Sequence, residues 1–185
     1  MELLIIIGIL IAIPLIYVVV TYNTLVSLKN YISESWSNID TELKRRYDLI
    51  PNLVATVKGY ATHEKEVLER VTELRTRCVA NNGTPQEQAV DEVKLVDAMK
   101  QMLVVVEKYP NLKADKHFLE LQKELINTED RIQAARRFFN GNIRDYRNKY
   151  ETFPSNMIAG AFGFKPQEFF EVPPSVREVP DVGNL

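Results

Sequence analysis

Between Leu3 and Val20 the chain carries eighteen residues without a charge, LLIIIGILIAIPLIYVVV, and no Gly- or Pro-rich linker separates them from the residues after Val20. Eighteen helical residues reach ~27 Å, close to the hydrocarbon thickness of a bilayer. The next residues keep a helical apolar period: Leu25, Leu28, Ile32, Trp36, Ile39, Leu43, Tyr47 and Ile50. These observations predict one helix that leaves a membrane and becomes the first helix of a water-soluble bundle. A cleaved secretory signal is the competing reading, and it calls for a basic leader and a small-residue cleavage site. Here the only charged side chain before the run is Glu2, and Val18 to Tyr22 offers no such site. The run reads as a retained anchor over residues 1–20. Pro14 is tolerated in a membrane helix, and Tyr17 and Tyr22 suit its boundary with water.

Orientation rests on charge. Lys29, then Lys44, Arg45 and Arg46, come after the span, against Glu2 and the terminal amine before it. The positive-inside rule places the larger domain in the cytoplasm of a single-pass protein, with a periplasmic or extracellular placement as the alternative. A net charge of −2 and no basic tract argue against nucleic acid as a partner. One cysteine, Cys78, excludes an internal disulfide framework.

The chain holds three further stripes. The second is Leu53, Val57, Tyr60, Val67, Val71, Leu74 and Cys78, and the third is Val90, Val93, Val96, Met99, Leu103 and Val106. The fourth runs from Phe118 through Leu121, Leu125, Ile132, Ala135, Phe139, Ile143, Tyr146 and Tyr150 to Phe153. Tyr47–Asn52 interrupts the first two stripes and reads as a tight turn around Pro51, or as a kink in one helix. Turn chemistry at Ala80–Pro85 ends the second, with Thr84 as N-cap and Pro85 at the first helical position of the third. Four amphipathic helices with short connections predict an all-α antiparallel up-and-down bundle over residues 21–153. Residues 154–185 change character, with Gly-punctuated apolar residues, Phe169-Phe170 and a Pro-rich run, and are expected to be extended rather than a packed helix.

No catalytic constellation emerges. His63 and His117 are the two histidines, and neither stands in H-E-x-x-H or E-x-x-H spacing. No phosphate-binding glycine loop occurs. Asn127, Glu129, Asp130, Arg131, Arg136, Arg137, Asn140, Asn142, Arg144 and Asp145 crowd the fourth helix. They form either a solvated face with local ion pairs or a polar layer that sets register. An enzyme or metal-binding bundle would have to draw on these residues, and no cofactor is expected.

The chain also resembles the LemA family of bacterial membrane proteins. The resemblance is carried by Tyr22-Asn23-Thr24-Leu25-Val26, Trp36–Asp40, Leu43–Val54, Val57–Ala61 with His63-Glu64, Tyr109–Ala114 and Ala135-Arg136-Arg137. Thr128-Glu129, Phe153–Asn156 and Phe162-Gly163-Phe164 complete it. It implies an N-terminal membrane helix, a four-helix bundle, and neither enzymatic activity nor cofactor. Some relatives are linked to magnetosome membranes or neighbour membrane proteases. The expectation is a scaffold or adaptor of the bacterial inner membrane whose partners are the lipid bilayer, further copies of itself, and a membrane protease or other membrane protein. The contact candidates are Arg45, Arg46, Tyr47, Asp48, Pro51 and Asn52 in the expected turn, and Phe164, Phe169 and Phe170 in the tail.

Overall fold

Helix α1 runs without interruption from Glu2 to Tyr60. The computed structural model describes residues 1–172, and its other helices are α2 (Lys65–Ala80), α3 (Pro85–Val106), α4 (Pro110–Lys113), α5 (Lys116–Glu151) and α6 (Ser155–Ala161). Among the described residues there is no strand. The described chain divides into two compact units, Met1–Ser37 with Arg137–Gln167, and Asn38–Arg136 with the described residues from Glu168 onward.

The turn expected around Pro51 is absent, because a contact remote in sequence supplies what proline removes. Pro51 has no N–H for the carbonyl of Tyr47, four residues earlier. The Arg75 Nε donates to that carbonyl at 2.8 Å. Ile50, Leu53 and Val57 are buried on both sides of the proline and hold the helix in register. The Arg75→Met variant is expected to lose about 1–2 kcal/mol, the cost of an unpaired partly buried carbonyl. That loss should shrink when Pro51→Ala restores a backbone donor. Urea unfolding of the four proteins of this cycle measures the coupling, and additive losses would refute it.

In the second unit, Leu53, Leu74, Leu95, Met102, Phe118 and Leu125 belong to one buried cluster drawn from all four long helices. The cross-links show the up-and-down order. At one end the Tyr60 hydroxyl donates to Asp115 at 3.0 Å, and the Tyr109 hydroxyl to Glu64 at 3.2 Å. At the other, Arg77 and Asn81 reach Asp91, both at 2.9 Å. Thr84 caps α3 and Pro85 stands in its first turn, as the sequence predicts, and Glu87 completes a capping box with Thr84. Asp115 accepts from the Phe118 N–H at 2.9 Å and so caps α5.

Those bonds, first the Phe118 N–H and then the Tyr60 hydroxyl, hold the Asp115 carboxyl below its ordinary value of 3.8. A lowered folded-state value contributes stability above the ordinary value and loses it as pH falls through the lowered one. Asp115→Asn keeps a good cap but no charge. Its deficit in thermal stability is therefore expected at neutral pH, should shrink as pH falls below 3.8 and should vanish once pH passes the lowered value. A deficit independent of pH would contradict this.

Three expected stripes need correction. Tyr60 and Phe153 are exposed rather than core. In α3 the expected Val106 is buried, together with Ala89, Asp91, Glu92, Leu95, Ala98, Met102 and Val105, whereas Val93 is exposed and Val90, Val96, Met99 and Leu103 are half-buried. This helix is apolar over most of its surface, so its own pattern does not select the inner face.

In the first unit, Leu25, Ile32, Ile143 and Tyr146 are buried, and the rings of Trp36 and Phe139 lie 5.3 Å apart. The extended reading of residues 155–161 is overturned, since α6 is a short helix that buries Ile158 and Ala159. Gly163, at φ 69°, ends it. The N–H groups of Gly163 and Phe164 return to the carbonyls of Gly160 and Ala159, at 3.2 and 3.0 Å, in a Schellman arrangement. Residues 164–169 are non-helical. The Tyr146 hydroxyl donates to the Lys165 carbonyl at 2.8 Å, and Arg147 Nε to that of Gln167 at 3.1 Å. The Pro-rich run beyond Val172 lies outside the described residues.

Candidate functional site

Among the described residues the largest fully buried side chain is a charged one, Arg46, at 2% exposure. It lies on the inner face of α1 between Leu43 and Ile50, three and four residues away, so the helix that supplies the core also carries the charge inward. Its guanidinium pairs with Glu92 of α3 and, at 2.8 Å, with Glu129 of α5. The Tyr47 hydroxyl donates to Glu92. Burial pushes the Tyr47 phenol well above its usual range. It therefore stays protonated and remains a donor to the carboxylate. Two carboxylates thus pair with one guanidinium, a phenol backs one of them, and three helices are tied at one level. A groove of about 160 Å³ lies beside the cluster, walled by Leu53, Val96, Met99, Leu125 and Ile126.

This arrangement fixes helix order better than it performs chemistry. The carboxylates are engaged by a cation, and the cation is almost wholly out of solvent. Cys78 lies in the same core, and burial raises its thiol to about 11 from an ordinary 9.0. On the order of a hundredfold fewer thiolates form at neutral pH than in a free cysteine. Iodoacetamide labelling of the folded protein is accordingly expected to be at least that much slower than in urea. Equal rates in the two conditions would contradict the burial. Among the described residues, no group of three or more His, Cys, Asp or Glu side chains is placed to hold a metal ion.

The nine contact candidates fall in different places. Arg45, Asp48, Pro51 and Asn52 are exposed or half-buried on α1, and Arg45 faces Glu42 at 3.7 Å. Arg46 is internal and Tyr47 half-buried, so both serve the bundle's interior. Phe170 is buried too, with the Arg136 guanidinium 5.1 Å above its ring, and Phe169 is half-buried. Phe164 belongs to the first unit, where its ring lies 5.7 Å from that of Tyr22. Of the polar run on the fourth helix, Glu129 enters the polar layer and Arg131, Arg137, Arg144 and Asp145 lie on the outer side. Sequence reasoning missed Glu92, and the one available signal was its place three residues after Ala89 and three before Leu95, on a face whose other members are apolar.

Comparison with known proteins places these features in a wider group. The model of the LemA family matches residues 35–183. Magnetosome protein MamQ 2 of Paramagnetospirillum magneticum is 26% identical over 179 residues, covering 83% of this chain and 66% of that protein. MamQ of Magnetospirillum gryphiswaldense is 24% identical over 179 residues with the same coverage. Protein LemA of Metamycoplasma hominis is 29% identical over 138 residues, covering 74% of this chain and 63% of that protein. The chain thus spans just under two thirds of the length of these relatives.

Proposed function

The chain belongs to the LemA family, and on that premise we propose that it is a single-pass membrane scaffold or adaptor of the bacterial inner membrane. It acts by self-association or by holding a membrane partner, without catalysis. The observation that carries this reading is α1, one uninterrupted helix that includes both the apolar run and the first stripe of the bundle. Among the described residues it is the one helix long and apolar enough to cross a membrane. The engagement of Arg46 by Glu92 and Glu129 favours the same reading, since it leaves the bundle's buried charges in a structural role. Neither the family's name nor those of the magnetosome relatives denotes an enzymatic activity. Lys29 and Lys44–Arg46 after the span favour a cytoplasmic bundle.

The test is the mass of the full-length protein in nanodiscs by light scattering, with images of the same peak, and a pulldown from native membranes. A defined assembly, or a membrane protein such as a protease retained on the bundle, supports the proposal. A monomer that retains no membrane protein overturns it.

A further inference from the structure

Phe162 and Phe164, at the end of α6, pack their rings against Tyr22, with centroids 4.9 and 5.7 Å away. Tyr22 stands two residues past the apolar run, which ends at Val20. A segment some 140 residues further along the chain is therefore held at the level where α1 leaves the hydrocarbon. Three large apolar side chains point outward from it beside the polar Thr152 and Asn156: Phe162, Met157 and Phe153 are 55%, 66% and 76% exposed. Phe162 also lines a groove of about 580 Å³, together with Tyr22, Lys29, Asn30, Tyr146, Lys165 and Gln167, and no described residue of its lining is acidic. Lys29 lies seven residues past Tyr22, ~10 Å along the helix. Helical side chains lean toward the N-terminus, so its ammonium reaches back toward the span. Tyr146 and Arg147 hold the carbonyls of Lys165 and Gln167 and so fix the second lysine beside the groove.

We propose that this face is a membrane-surface site for anionic phospholipid. Phe153, Met157 and Phe162 enter the interfacial layer of the bilayer that α1 spans, and Lys29 and Lys165 receive a phosphate headgroup in the groove between them. Apolar and aromatic side chains next to a pair of cations match both halves of that layer, acyl boundary and phosphate. The inference rests on the membrane-spanning reading of α1 and names the lipid contact of the same unit.

The experiment uses the full chain with Trp36→Phe, reconstituted in vesicles of phosphatidylcholine, with or without phosphatidylglycerol, whose acyl chains are brominated near the headgroup or near the methyl end. Three single reporters are compared: Phe162→Trp, Ile9→Trp in the span, and Val104→Trp on the exposed face of α3. Phe162→Trp should show blue-shifted emission and about twofold quenching by the shallow bromines, as interfacial rings do. The reporter at Val104 should show neither. Phosphatidylglycerol should strengthen the quenching, and Lys29→Gln with Lys165→Gln should cancel that gain, about fivefold in partitioning for each lysine. A quenched Ile9 reporter beside an unquenched Phe162 reporter overturns this inference and leaves the anchor standing. An Ile9 reporter that no bromine quenches overturns both. Equal quenching with and without phosphatidylglycerol overturns the headgroup assignment. A blue shift without quenching overturns the site in favour of a second copy of the chain.

Discussion

Arg46→Met is expected to destabilise the protein by about 3–5 kcal/mol, the largest effect of any single substitution in the bundle. The guanidinium is 2% exposed, and its removal leaves Glu92 buried with only the Tyr47 hydroxyl as partner. Glu129 suffers less, because a third of its side chain remains in solvent. Removing the whole cluster should behave differently. With Glu92→Leu and Tyr47→Phe added to Arg46→Met, no buried charge is left over, and most of the loss should be recovered. Denaturant midpoints at unchanged slope measure both, in detergent or nanodiscs. If Arg46→Met loses less than about 1 kcal/mol, or the triple variant is worse than the single, then the cluster is not an ion pair enclosed by the core. A stable triple variant whose assembly state becomes heterogeneous would instead identify the cluster as a device for helix order.

The second large effect concerns membrane insertion. The apolar run contributes on the order of 5 kcal/mol of insertion free energy on a residue-by-residue transfer scale. One arginine at the centre costs about 2.5–3.5 kcal/mol on the same scale. The magnitudes separate two variants. Ile9→Arg should stay in the membrane pellet after alkaline extraction. Ile9→Arg combined with Ile13→Arg should move most of the protein to the soluble fraction, as should removal of residues 3–20. Both positions are exposed on α1, and among the described residues none of the run is fully buried, so these changes spare the bundle's buried contacts. A double variant that remains membrane-bound would show that the anchor is not what holds the protein there.

Much of the fold was legible because its signals are local. The uncharged run at Leu3–Val20 reports its length directly. The buried positions Leu25, Ile32, Ile39, Leu43 and Ile50 follow from spacings of three and four on one helix, and the same holds from Phe118 to Tyr146 in α5. Thr84, Pro85 and Glu87 start a helix through bonds that span three residues. The resemblance to the LemA family was equally readable, since it lies in the order of the residues themselves.

What the sequence left open was settled by partners far along the chain. Pro51 looks like a helix end until Arg75 is seen to supply the donor that Tyr47's carbonyl lacks. In α3 either face could have turned inward on apolar grounds. Arg46 selects the one that carries Glu92, because a buried cation needs a carboxylate within reach, and it draws on Glu129 from 83 residues away as well. Arg46 itself, taken from the sequence as a surface contact, is internal for the same reason. In the tail, Ser155–Ala161 becomes a helix because Ile158 and Ala159 find a surface to cover, and Phe164 finds Tyr22 beside the span. By itself the sequence determined the long helical stripes on either side of Pro51 and that one run can cross a membrane, since both depend on bonds and distances within a few residues. The tertiary structure decided which faces close on one another and where the buried charge goes, since desolvating a charge is tolerable only where other helices bring its counterions.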